Sequence, residues 1–391
     1  MRAMEKYDFD TVVPRRGTNS YKWDTPEQEG VLPMWVADMD FRAAPCIVEA
    51  LRRRVSHGVF GYTRVPAAYY DAVTDWFARR HGWRIDPHWI LYTTGVVPAL
   101  SAVIKALTVP GDRVIVQTPA YNCFYSSIRN NGCELLANRL RYEGGAYTID
   151  FDDLETKASD PKAKLLLLCN PHNPVGRVWT LEELQKIGRI CKEYGVKVVS
   201  DEIHMDFALP DHLHIPFLKA CPDMAENTVL CTAPSKTFNL AGLQTSNIFI
   251  PGEAARKAFL EELDRFHYSG VNRLGAIACQ AAYEGGQEWL TECKAYLLEN
   301  LDYVREFLEE KLPGVKLIEP EGTYFAWLDF SAWGLNETEL DDFLIQEAKV
   351  WLNSGSRFHA PLYQRVVLAC PRATLKEAME RMAKAAEKRG F

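Results

Sequence analysis

Three kinds of polar group follow directly after stretches that read as buried strands. The run Lys164–Cys169 leads into Asn170-Pro-His-Asn173-Pro-Val-Gly176. Val196–Ser200 leads into Asp201-Glu-Ile-His204, and Thr228–Thr232 leads into Ala233-Pro-Ser235-Lys236-Thr-Phe-Asn239. In open α/β sheets, ligands bind beyond the carboxyl ends of the strands. An amide, a carboxylate and an amine are therefore expected at one rim. Taken singly, each has an ordinary explanation. Asn173 before Pro174 shapes a turn, Asp201 caps a helix or pairs with an arginine, and Lys236 is a solvated surface lysine. Their joint arrival at strand ends favours chemistry.

That chemistry is specific. A lysine amine forms a Schiff base with an aldehyde. A pyridine ring used as an electron sink needs an acidic partner at its nitrogen, and Asp201 can be that partner. The Asn173 amide can donate to a ring hydroxyl. Thr94-Gly95-Val96 opens a helix pattern, where free N–H groups and the helix dipole favour a phosphate, and Ser235 can add a hydroxyl. Together these are the requirements of pyridoxal 5′-phosphate (PLP), with Lys236 as its lysine.

The elements that must hold these groups are legible. Helix patterns cover Pro45–His57, Ala67–His81 and Gly95–Leu107, and the last leads to a strand at Asp112–Thr118. Continuous apolar runs such as Lys164–Cys169 suit strands buried on both faces, as in a parallel sheet. Thr180-Leu-Glu-Glu183 fits a capping box at a helix start, and Gly195 fits its stop. Strand, helix, strand at this spacing predicts a parallel sheet with right-handed crossovers.

After about residue 285 the pattern changes. An amphipathic helix over Glu288–Leu312 ends at Pro313-Gly314. Strands follow at Val315–Ile318 and Tyr324–Leu328, then a helix at Glu337–Lys349, a strand at Gln364–Ala369 and a helix at Thr374–Arg389. The expected fold is a three-layer α/β/α large domain with a mostly parallel sheet over residues 46–285, and a smaller α+β domain over 286–391. Residues 1–45, rich in Pro, Gly, Trp and Asp without periodicity, are expected to wrap onto the body and the small domain.

Composition excludes several alternatives. A net charge of −7 disfavours nucleic acid as the main partner. No apolar run approaches the ~20 residues of a membrane helix. The start Met-Arg-Ala-Met-Glu-Lys lacks the apolar stretch of a secretory signal, so a cytoplasmic location is expected. The ten cysteines are scattered with no C-x-x-C pair, as small buried residues in a reducing compartment would be. His204, His212 and His214 lie close together, but nothing is spaced with them as a ligand set, so no metal is expected.

With these residues in view, the chain resembles the fold-type I PLP enzymes of the aspartate aminotransferase superfamily. Within them it is most similar to the MalY/PatB-type cystathionine β-lyase (C–S lyase) branch. The resemblance spans nearly the whole chain. It is carried by Arg15-Arg-Gly-Thr18, Lys22-Trp-Asp24, Leu32-Pro-Met-Trp-Val-Ala-Asp-Met-Asp-Phe41, Phe60-Gly-Tyr-Thr63, Thr94-Gly-Val-Val-Pro-Ala-Leu100, Asn170–Arg177, Ser200–His204 and Ala233–Ser246. The Asn–Pro, Asp and Ser–Lys elements are general to the superfamily. The Pro-Met-Trp-Val-Ala-Asp-Met-Asp-Phe and Ala-Pro-Ser-Lys-Thr-Phe-Asn strings belong more narrowly to the lyase branch.

The resemblance implies further roles. Tyr121 would stack on the cofactor ring, and His204 would lie beside the ring hydroxyl. Arg365 would clamp the substrate α-carboxylate, a bidentate task that suits guanidinium, with Asn173 and Tyr121 also facing substrate. The family is dimeric, and Tyr62 would reach the phosphate in the neighbouring subunit's site.

One region departs from the branch. Relatives often carry a glycine-rich stretch before the carboxylate arginine. Here it reads Gly355-Ser-Arg-Phe-His-Ala-Pro-Leu-Tyr363, and Val367 replaces a polar residue frequent in the following strand. This loop is expected to border the distal end of the substrate. The implied reaction is α,β-elimination of cystathionine or another S-substituted L-cysteine to thiol, pyruvate and ammonia. An aminotransferase would use the same residues, and a regulatory protein that keeps the PLP site is a third reading.

Overall fold

The apolar runs of the middle of the chain lie side by side in one seven-stranded sheet. The structure is a computed structural model that describes residues 7–26, 28–268 and 270–391. The strands are β1 (Ile90–Thr93), β2 (Arg113–Thr118), β3 (Glu134–Arg139), β4 (Ala163–Cys169), β5 (Lys197–Asp201), β6 (Thr228–Thr232) and β7 (Ser246–Phe249). Their spatial order is β1-β7-β6-β5-β4-β2-β3. β7 runs antiparallel to both neighbours, and the remaining pairs are parallel.

Successive side chains of a strand point to opposite faces, and β4 makes the consequence visible. Leu166 and Leu168 enter a core with Leu184, Ile187 and Cys191 of the helix Leu181–Tyr194. Leu165 and Leu167 enter another with Leu100, Val103 and Ile104 of the helix Val96–Leu107. The sheet is thus covered on both faces, which is why its central strands read as unbroken apolar runs. The helix after β4 starts as its sequence predicts. The Thr180 hydroxyl accepts from the Glu183 N–H at 3.2 Å while the Glu183 carboxylate accepts from the Thr180 N–H at 2.8 Å. Gly195 closes it with φ 70°.

A second, four-stranded antiparallel sheet follows, with β8 (Lys316–Ile318), β9 (Phe325–Asp329), β10 (Asn353–Ser354) and β11 (Tyr363–Val367) in the order β8-β9-β11-β10. Ala326, Leu328 and Val366 share a core with Leu301, Val304 and Leu308 of the helix Gln287–Lys311 and with Met379 and Met382 of the helix Arg372–Arg389.

The sequence predicts one helix over Glu337–Lys349, and the structure corrects this. The α-helix covers Glu337–Asp342, and a π-helical turn continues it over Phe343–Glu347. Lys349 then takes a left-handed φ of 56°. Val350–Trp351 pair with Leu32–Pro33 of the N-terminal segment. A strand partner more than 300 residues away ends the helix, and local periodicity cannot encode such a partner.

That N-terminal segment lies against the rest of the chain. The Asp40 N–H donates to the Ala369 carbonyl at 2.9 Å. Arg15, Lys22, Asp38 and Asp40 form a cluster in which Lys22, with no exposed surface, reaches Asp40 at 2.6 Å and Arg15 bonds both aspartates. Residues 1–6, which carry the reading on a secretory signal, lie outside the described residues. No described helix is long and apolar enough to cross a membrane.

Candidate active site

β4, β5 and β6 are parallel and in register, with Cys169 opposite Asp201 and Asp201 opposite Cys231. The residues that follow these strands therefore emerge at the same height. They line one cavity of about 410 Å³, together with groups from the second sheet and the N-terminal segment. Asn173, Asp201, His204, Ser235, Lys236, Gly95, Val96, Tyr121 and Arg365 all face it.

Lys236 sits on a single helical turn, Pro234–Thr237, directly after β6. Its Nζ donates to the Ala37 carbonyl at 2.8 Å. Burial, helped by the Arg365 charge, lowers its pKa to about 8. Two side contacts fix this turn. The Thr237 hydroxyl donates to buried Asp206 at 2.8 Å, and the amide of Asn239, held at φ 57°, bonds Met39 and Phe41 of the N-terminal segment at 3.0 Å. The segment thereby holds Ala37 over the amine, and Tyr324 Oη donates to the same carbonyl at 2.9 Å.

Asp201 ends β5 and is 5% exposed. Burial raises its pKa to about 7, the neighbouring Glu202 adds to the rise, and the Ile203 N–H at 3.1 Å opposes it. His204 packs edge-on against Tyr324 and Phe325, and its buried Nδ1 has no partner among the described residues. Burial and the charges of Lys236 and Arg365 hold its pKa well below the usual imidazole value, so the ring is neutral.

Arg365 stands on β11 with 2% exposure. It donates to Asn173 Oδ1 at 2.9 Å and to the Trp35 carbonyl at 3.1 Å, and its guanidinium lies 4.1 Å from the Phe325 ring centre. These partners are neutral, and burial lowers its pKa to about 10. The Asn173 loop is itself tied to the second sheet's side of the cavity. Arg177 pairs with Glu321 at 2.8 Å, and Glu321 and Gly322 donate to the Gly176 carbonyl at 2.9 Å.

Gly95, which also lines the cavity, precedes the helix Val96–Leu107 with no side-chain hydrogen bond capping it among the described residues. The Thr93 hydroxyl donates to the Gly95 carbonyl at 2.7 Å and fixes the turn. Such an uncapped start offers N–H groups to an anion. Ser235 lines the same cavity. Tyr121 lines the side wall, where burial raises its pKa above the usual phenol value.

One expected residue is elsewhere. Tyr62 is fully exposed on the stretch between two helices and lines a different surface hollow, with Arg64 and Arg273. Within one chain it does not reach the cavity that holds Lys236.

The structure also brings in residues that the sequence reading gives no role: the carbonyls of Trp35 and Ala37, the Tyr324 hydroxyl, Cys123, Asn353 and Arg357. The first two belong to the Leu32–Phe41 string, which marks the resemblance but has no periodicity from which to infer a position.

The family model "Aminotransferase class I and II" matches residues 30–382. Cystathionine beta-lyase PatB of Bacillus subtilis (strain 168) is 47% identical over 381 residues, covering 96% of this chain and 98% of that protein. Cystalysin from Treponema denticola, whose crystal structure contains pyridoxal 5′-phosphate, superposes with a TM-score of 0.95 at 37% identity, over 98% of this chain and 99% of that one. The PLP-bound C–S lyase from Staphylococcus hominis superposes with a TM-score of 0.92 at 34% identity, over 98% of each chain.

Proposed function

The chain belongs to the aminotransferase class I and II family, and on that premise we propose that it is a PLP-dependent carbon–sulfur lyase. It splits cystathionine or a related S-substituted L-cysteine, with water, into a thiol, pyruvate and ammonia. The observation that carries this reading is the 47% identity to a cystathionine beta-lyase over nearly the full length of both chains.

The residues present fit the cofactor. The cavity offers an amine of lowered pKa, a buried carboxylate, a buried imidazole Nδ1 without a partner and an uncapped helix start. These match an aldehyde, a ring nitrogen, a ring hydroxyl and a phosphate. When bound, PLP supplies an electron-withdrawing ring that makes the substrate α-proton acidic.

The side chains would divide the remaining work. Lys236 takes the proton from the α-carbon and can return it to the departing sulfur; a pKa near 8 leaves part of it neutral at physiological pH. Asp201 would sit at the ring nitrogen and keep a proton there. Asn173, whose Oδ1 is occupied by Arg365, has its NH₂ left for the ring oxygen. Arg365 orients the substrate carboxylate with its unpartnered Nε and the neighbouring N–H groups. Tyr121 would cover one ring face, while Ser235 and the N–H groups at Gly95 and Val96 would hold the phosphate.

The proposal extends to organisation. Residues 46–285 form the cofactor domain and 286–391 the small domain, with 1–45 bridging them. The protein works as a cytoplasmic homodimer in which Tyr62 enters the neighbouring site. Its full exposure beside a separate hollow supports this role, and ten free cysteines support a reducing compartment.

A panel of cystathionine, cystine, cysteine and alkyl-cysteines tests the reading, with thiol, pyruvate and keto-acid formation scored together. Thiol and pyruvate in equal amounts are expected. Keto acid without thiol would identify an aminotransferase instead. Turnover that persists unchanged in Lys236→Ala would remove Lys236 from the reaction.

A further inference from the structure

The cavity that holds Arg365 is also lined by groups that the elimination leaves unused. Arg357 lies on the short turn Gly355–Phe358 and lines the same cavity as Lys236 and Arg365. Its guanidinium has no hydrogen bond or ion pair among the described residues; its contact is the Trp35 ring, 5.9 Å away. Trp35 in turn stacks on Trp351 at 4.6 Å, so the charge stands on a fixed aromatic floor.

A second observation points to a ligand at the same place. Asn353 lines the cavity, is 7% exposed, and its Oδ1 has no partner among the described residues. It sits opposite Arg365 in the β10–β11 pair, so the two side chains share a face. A buried amide left without a partner is costly, and this amide can turn either its oxygen or its NH₂ to a ligand.

Charge narrows the ligand class. Arg365 is bonded to neutral groups, and Arg357 to none. The Arg357 charge is felt inside the cavity, where it disfavours the charged form of Arg365 and favours the thiolate of Cys123. An amino acid with a single carboxylate satisfies one guanidinium and leaves the other unmatched.

We propose that Arg357, with Asn353 beside it, binds a second carboxylate carried on the sulfur substituent, so that the enzyme prefers S-substituted cysteines with an acidic tail over S-alkyl cysteines. Cystathionine carries such a carboxylate. This deepens the lyase reading and rests on it for the sulfur, whereas recognition of two carboxylates does not depend on elimination.

The test therefore uses PLP-loaded protein and ligands without a leaving group. L-2-aminoadipate is compared with L-norleucine, and L-2-aminosuberate with L-2-aminooctanoate. Within each pair a terminal carboxylate replaces a methyl group at constant chain length. Affinities are read from titration of the cofactor absorbance. The acid of at least one pair is expected to bind about ten-fold more tightly, as a charge-assisted contact allows. Arg357→Met abolishes that preference, and Arg357→Lys retains part of it. Equal affinities within both pairs, or a preference that survives Arg357→Met, would overturn the proposal. Failure of the lyase reading shows separately, as wild-type protein that releases no thiol or pyruvate from any S-substituted cysteine.

Discussion

The two ends of the cavity are built on different physical terms. At the cofactor end, Lys236, Asp201 and Asn173 follow three parallel strands of one sheet, and buried neighbours fix each of them. On the side of the cavity where Arg357 lies, residues 355–362 form a turn and loop. It is held where the Phe358 carbonyl accepts from the Ala120 N–H at 3.2 Å and Tyr125 Oη at 3.0 Å, and where His359 stacks on Tyr125 at 3.9 Å. Arg357 projects from this loop and is exposed. Buried groups interact in a low dielectric and have strongly shifted pKa values. An exposed guanidinium is screened by solvent and acts more weakly. Under the proposed function, the comparison assigns bond-breaking chemistry to the sheet rim and choice among substrates to a loop that can change without disturbing that rim.

Lys236→Ala should have the largest effect. Pyruvate release is expected to fall about 10³-fold, because the group proposed to move the α-proton is gone. A loss of less than ten-fold would mean that another group does this work. Arg365→Lys comes next, since an ammonium keeps the charge but loses the planar fork. KM for amino-acid substrates is expected to rise roughly 10- to 100-fold. Steady-state kinetics with an unchanged KM would detach Arg365 from the carboxylate.

Gly355→Ala probes the loop without touching a charged group. A Cβ there would lie 2.1 Å from the Ala360 carbonyl oxygen and 2.5 Å from that of Tyr363, so the loop must shift. KM should rise about several-fold, an effect of the order of a kilocalorie per mole of lost positioning, while the affinity for PLP stays as in wild type. A large loss of PLP affinity would show that the two ends are coupled and would break the comparison.

The smallest effect concerns pH. In protein stripped of PLP, the folded pKa of Asp201 is about 7, against 3.8 for an ordinary aspartate. The raised value means that this group's contribution is fully present below about pH 4. It is lost as pH rises toward 7, where the unfolded chain is ionised and the folded protein is not. Asp201→Asn removes the dependence. The variant should gain roughly a few degrees of Tm over wild type at pH 8, and less at pH 5. Equal differences at both pH values would contradict the burial argument for Asp201.

Much of the site is legible in the sequence because it depends on local rules. The apolar run before Asn173, the capping box at Thr180 and the strand before Lys236 each announce an element boundary, and the structure places those boundaries within a residue or two. The strands β1 and β7, which lie side by side at one end of the sheet, are less legible. They have four residues each, and polar Asn247 lies within β7. Tyr324 and Asn353 carry no local signal of their own, since one lies just before a strand and the other in a two-residue strand.

The sequence by itself determined the α/β layering and the arrival of an amine, a carboxylate and an amide at one rim. Strand periodicity and helix capping involve residues only a few positions apart. Tertiary structure alone decided which main-chain atoms hold them. The Ala37 carbonyl reaches Lys236 across 199 residues of chain, and the Trp35 carbonyl reaches Arg365 across 330. It also decided that Arg357 shares their cavity. Such contacts follow from the path of the whole chain, and no local pattern records them.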